Sequence, residues 1–144
     1  MFDDSIFEKG WKGWDGKFRI VHAGLFLHLF SWDQQLAVCE KVIRLMSEEK
    51  GTLFLGEMVG CESGGERGRV KFKREVRKQY LHDIQSFEKM WGEVAEKTGT
   101  IGMWKVEGSF KTRGHMKESD GNRGCSGYFA GEDIRWFIFS VERI

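Results

Sequence analysis

No proline occurs in the 144 residues of this chain, so no turn or helix stop in it rests on a locked φ. Turning falls to nineteen glycines, and Gly60, Gly64, Gly65 and Gly68 mark one glycine-rich loop. Cysteine is scarce: Cys39, Cys61 and Cys125 are an odd number at wide spacing. Without a Cys-x-x-Cys pair there is no zinc-ribbon or dithiol redox motif, and free thiols in a reducing, cytoplasmic compartment are expected. The four histidines show no ligand spacing with them, so no metal is expected. Long apolar runs are missing too. Ala23 to Phe30 is the longest and is broken by His28, far below spanning length, so no membrane span is expected. The opening Met1-Phe2-Asp3-Asp4 is acidic, and no signal peptide is expected there. Charge of one sign is also lacking. A net charge of +1 gives no general pull toward nucleic acid or acidic partners. Neither a Gly-x-Ser-x-Gly elbow nor a Walker pattern is present.

What the chain does contain is a strand–helix–strand unit from Lys17 to Gly60. Phe18-Arg19-Ile20-Val21-His22 reads as a buried strand with β-branched residues at its centre. Ala23 to Phe30 is apolar on nearly every side, and its periodicity fits either an exit loop or a short helical turn. Ser31 with Gln34 three residues later makes a capping box. Leu36, Cys39, Ile43 and Met46 then recur at helical spacing, and Gly51 is the expected stop. Thr52 to Val59 is the next strand. Such a unit belongs to an open α/β sheet, where ligands gather at the carboxyl ends of the strands.

Cys61 to Lys78 reads as a basic loop, in which seven Lys and Arg residues face Glu66 and Glu75. Phe72 and Tyr80 interleave with these cations, but no nucleic-acid motif accompanies them, and no nucleic-acid partner is expected. His82-Asp83 opens a second helix, with Ile84, Phe87, Trp91, Val94 and Ala95 on one face and Gly99 at its stop. Met103 to Phe110 alternates as a strand. Lys111 to Gly131 reads as a loop, and Ile134 to Val141 as a final strand. The last two strands, with no helix signal between them, are expected to pair antiparallel. Met1 to Gly16 is an irregular lead-in whose Trp11 and Trp14 are expected to pack on the body.

The order strand–helix–strand–helix–strand–strand resembles the carboxyl half of a class I S-adenosylmethionine-dependent methyltransferase. The run from Phe18 through Phe30 to Trp32-Asp33-Gln34-Gln35 is similar to a fungal group of these enzymes from terpenoid and meroterpenoid pathways. Gly51 to Gly56, His82-Asp83, Ser86 to Trp91, Thr98 to Thr100 and Trp104 to Glu107 extend the likeness across Asp3 to Gly108. It implies one domain over residues 1–144, α/β, with part of a Rossmann-like sheet, flanking helices and antiparallel last strands. The family's glycine-rich cofactor motif has no counterpart here, and Arg19 stands where the group usually has an acidic residue.

By this resemblance the cofactor is S-adenosyl-L-methionine and the reaction is O-methylation of a carboxyl or hydroxyl on a small apolar secondary metabolite. Asp4, Ser5 and Ile6 stand where the family's acidic-plus-apolar segment meets adenine. His22 and Ala23 fall in the region that lines the cofactor. His28 is the expected catalytic residue, since a histidine near pH 7 can take a hydroxyl proton or orient a carboxylate. It equally suits an apolar core turn. Phe26, Leu27, Phe30 and Trp32 suit an apolar acceptor wall, and His82 can face the same pocket or simply begin its helix. A second reading is a truncated, non-catalytic remnant acting as an interaction module. In either case a homodimer or a complementing amino-terminal half is an expected partner.

Overall fold

The computed structural model describes residues 13–71, 75–111 and 133–144. Strand β1 (Ile20–Gly24) leads through a 3-10 turn at Leu27–Leu29 into helix α1 (Trp32–Leu45) and back to strand β2 (Leu53–Cys61). A hairpin of β3 (Gly65–Lys71) and β4 (Glu75–Leu81) follows, then helix α2 (Ile84–Thr98), β5 (Trp104–Phe110) and β6 (Ile134–Arg143). The main sheet has the order β1-β2-β6-β5. β1 and β2 run parallel, as the crossover through α1 requires. β6 is antiparallel to both of its neighbours. The last two strands thus pair as expected, with β5 at the edge and β6 inside the sheet.

Both helices form where cap chemistry permits. Gln34 Oε1 accepts from the Ser31 backbone N–H at 3.2 Å, closing the first turn of α1. Asp83 accepts from the Ser86 N–H at 2.7 Å, and Gly99, at φ 67°, ends α2 in the left-handed conformation. The stop of α1 corrects the expectation placed on Gly51. The helix ends at Leu45 because Met46 turns extended and bridges Phe18, whose carbonyl accepts from Ser47 N–H at 2.8 Å. Gly51, at φ 80°, instead turns the chain into β2. β1 also lies two residues later than expected, so Gly24, not His22, ends it.

The expected loop from Cys61 to Lys78 is a second correction. Residues 65–71 and 75–81 pair antiparallel in full register, from Gly65↔Leu81 to Lys71↔Glu75. A two-stranded ribbon buries no whole face, so nothing forces the apolar–polar alternation that identifies a strand in sequence. Of the expected Lys111–Gly131 loop, residues 112–131 lie outside the described residues, as do Trp11 and the rest of residues 1–12 of the lead-in. Trp14 packs on the body as expected, stacked on Phe18 at 5.3 Å between ring centroids.

One face of the sheet carries the core. Phe54 and Met58 of β2 and Phe137, Phe139 and Val141 of β6 pack with Leu36 and Cys39 of α1 and with Phe87, Met90, Trp91 and Val94 of α2. Among the described residues both helices cover this face, and Phe54 stacks on Trp91 at 5.7 Å. The opposite face is thinly covered. Val59 and Cys61 meet Leu81 near its upper end, while Ile20 is 63% exposed. Arg19 C=O and Leu25 N–H both bond β2, so alternation turns the peptide groups of Ile20, His22 and Gly24 to the outer edge. Gly60 has no room for a side chain: a Cβ there would lie 2.6 Å from the His82 carbonyl oxygen. This close approach seats the start of α2 against the sheet.

Candidate functional site

The carboxyl end of β1 opens into the loop Leu25–Phe30. Leu25 sits at φ 52°, a left-handed conformation that a leucine adopts only when its surroundings impose it. Its N–H donates to the Glu57 carbonyl at 2.8 Å. Phe26 meets Phe30 edge-on at 4.9 Å, and Leu27 and His28 turn inward and are buried. Leu25, Phe26 and Leu29 stay about two-fifths exposed, at 43%, 39% and 40%, and form an apolar lip.

A buried polar network fixes the base of this loop. Gln35 is fully buried on α1. Its Nε2 donates to the carbonyls of Phe30 and Tyr80, at 3.0 and 2.9 Å. Those two bonds aim Oε1 at His82 Nε2, 3.0 Å away. The oxygen can only accept, so Nε2 carries a proton, and Nδ1 lies 2.9 Å from the Ser86 hydroxyl. At neutral pH the imidazole is uncharged. Burial pushes its pKa down to about 4, against a smaller upward pull from Asp83.

His82 has no exposed surface and is bound at both nitrogens. Trp32 is likewise committed: its Nε1 donates to Glu93 at 3.0 Å, and its ring meets Tyr80 edge-on at 4.7 Å. The loop does bring Phe26, Leu27, His28 and Phe30 together at the carboxyl end of the sheet. His28 is only 5% exposed there. His22 and Ala23 face opposite ways, as adjacent strand residues do: His22 is exposed and Ala23 packs on the core. Asp4, Ser5 and Ile6 lie outside the described residues.

Two groupings carry no obvious sequence signal. Gln35 is one, although a polar residue four before Cys39 on an apolar helix stripe does hint at a buried network. The other joins Cys61, Ser63, Arg67 and Asp133. Arg67 bonds Asp133, at 2.6 Å, and also Cys61, at 3.1 Å, where β2, β3 and β6 meet. A cleft of about 820 Å³ lies elsewhere, at the amino ends of β1 and β2, among Arg44, Ser47, Thr98, Thr100 and Arg143. Among the described residues, none of the expected site residues lines it. Among the described residues no group of three or more metal-ligating side chains converges, and no helix is long and apolar enough to cross a membrane.

No protein-family model matches the chain. Individual proteins do. O-methyltransferase phiE of Fungal sp. is 37% identical over 92 residues, which is 64% of this chain and 29% of that protein. O-methyltransferase atr3 of Stereocaulon alpinum is 37% identical over 102 residues, 67% of this chain and 27% of that protein. Methyltransferase ausD of Aspergillus calidoustus is 31% identical over 93 residues, 62% of this chain and 32% of that protein. The likeness to part of a fungal methyltransferase is thus found at 30–37% identity over about 60% of the chain. The chain spans under a third of the length of these relatives.

Proposed function

We propose that this chain is part of an S-adenosylmethionine-dependent O-methyltransferase whose acceptor is a carboxyl or hydroxyl on a small apolar, terpenoid or meroterpenoid, secondary metabolite. The observation that carries this reading is the 37% identity over 92 residues to a protein named an O-methyltransferase. The mixed sheet and the apolar lip at the carboxyl end of β1 support it, because open α/β sheets hold ligands at that end. In this reading Phe26 and Phe30 take the hydrocarbon of the acceptor, and His28 accepts its proton or orients its carboxyl group.

The described residues do not by themselves fit a whole nucleoside cofactor. No glycine-rich turn stands at the end of β1, and Glu57, registered with Gly24, is held by Lys111 at 2.7 Å. A further stretch of the same protein, a second copy or a complementing amino-terminal polypeptide would supply the rest. Among the described residues no strand pairs with the outer edge at Ile20, His22 and Gly24, which favours a second reading, in which the chain acts as an interaction module without catalysis of its own.

Calorimetric titration of the purified 144-residue chain with S-adenosylmethionine, alongside sedimentation to fix its oligomeric state, tests both. Saturable binding, followed by acceptor turnover lost in His28→Ala, is the expected result for the enzyme. A folded chain that does not bind leaves the interaction module.

A further inference from the structure

The fully buried side chain of Gln35 joins three parts of the chain that are far apart in sequence. Through Nε2 it holds the Phe30 carbonyl, at the end of the loop bearing His28, and the Tyr80 carbonyl, at the end of the β3–β4 hairpin. Through Oε1 it holds His82, which in turn meets Ser86 in the first turn of α2. The Tyr80 N–H also donates to the Phe30 carbonyl, at 3.0 Å, so that one oxygen serves both the hairpin and α1. Phe30 ends the 3-10 turn, its own N–H bonded to Leu27 at 3.1 Å. The turn therefore has its exit fixed by Gln35, while its entry is fixed by the left-handed Leu25.

We infer that Gln35 is a positioning residue that couples the hairpin to the Leu25–Phe30 loop and sets the placement of His28. The link from that loop to acceptor binding rests on the methyltransferase reading above; the mechanical coupling does not. A shift of β4 at Tyr80 acts on Phe30 through two bonds, and a shift of the loop returns to the hairpin by the same route. Such a shared element is what energetic coupling between two sites requires.

Amide hydrogen exchange on the full chain tests the inference. Gln35→Met keeps the volume and removes all three bonds. Gln35→Glu keeps the acceptor toward His82 and removes both donors. In each variant the amides of Leu29, Phe30 and Tyr80 are expected to exchange about tenfold faster or more, while those of Phe139 and Val94 change little. In Gln35→Glu the His82 imidazole, now beside a carboxylate as well as Asp83, is expected to titrate at higher pH by NMR. Unchanged loop amides, or the same acceleration at Phe139 as at Phe30, overturns the inference. Local acceleration in a chain that binds no S-adenosylmethionine keeps the coupling and removes the enzyme. Cofactor binding without local acceleration does the reverse.

Discussion

The thiol of Cys61 donates to the carboxylate of Asp133 at 2.8 Å, across seventy-two residues of sequence. That bond, with burial opposing it and Arg67 and Ser63 adding to it, holds the Asp133 carboxyl below its ordinary value. Replacing Cys61 by Ala is expected to raise the Asp133 pKa toward the usual carboxylate range. Carbon-13 NMR of the carboxyl group reads this directly, and an unmoved titration would mean that the thiol contributes nothing.

Cys39 should behave quite differently. Burial, with Glu40 adding to it, pushes its thiol far above the ordinary range. Iodoacetamide at neutral pH is expected to leave Cys39 unmodified in the folded chain and to alkylate it once denaturant unfolds the core. Peptide mapping by mass spectrometry distinguishes the two states.

His82 makes stability depend on pH with a defined sign. Its folded pKa of about 4 lies below the ordinary 6.5, so the unfolded chain binds the extra proton between those values. Stability is full above pH 6.5, falls as the pH drops toward 4, and levels off below that. The loss is about 3 kcal/mol at most. Urea unfolding followed across this range should show the decline, and His82→Gln should flatten it.

Phe87 is the centre of the aromatic core, 4.7 Å from Phe139 and 5.7 Å from Phe137 between centroids, with no exposed surface. Phe87→Ala is expected to cost about 3–5 kcal/mol, through lost burial and the cavity left behind. The midpoint of urea unfolding should fall with little change in slope. A loss below 1 kcal/mol would show that α2 is not packed on the sheet as described.

Asp83 caps α2 through the Ser86 N–H. Asp83→Ala is expected to destabilise the chain by about 1 kcal/mol, while Asp83→Asn, which keeps the acceptor, costs less. Thermal unfolding of the two variants side by side gives the comparison.

The features legible in the sequence are those governed by neighbouring residues. Ser31 with Gln34, Asp83 and Gly99 mark helix ends because capping is completed within one turn. The stripes of α1 and α2, and the apolar β2 and β6, follow from periodicity. The end of α1 was not legible, since Phe18, nearly thirty residues earlier, draws Met46 into a bridge. The hairpin escaped because its strands lack alternation. At the candidate site, Phe26 to Phe30 group together simply by being contiguous. The Gln35–His82 bond spans forty-seven residues and depends on the fold to form. The opposite facing of His22 and Ala23, by contrast, follows from strand periodicity alone.

The position of β6 has a consequence for how the chain is made. It fills the gap between β2 and β5, yet it is the last described element to leave the ribosome. Until it arrives, a nascent chain holds both helices with Phe54 and Met58 lacking their cross-strand neighbours Val141 and Phe137. Two strand edges stay open during that interval, which invites mispairing with other nascent chains. Vectorial synthesis therefore leaves the sheet without its keystone until β6 emerges.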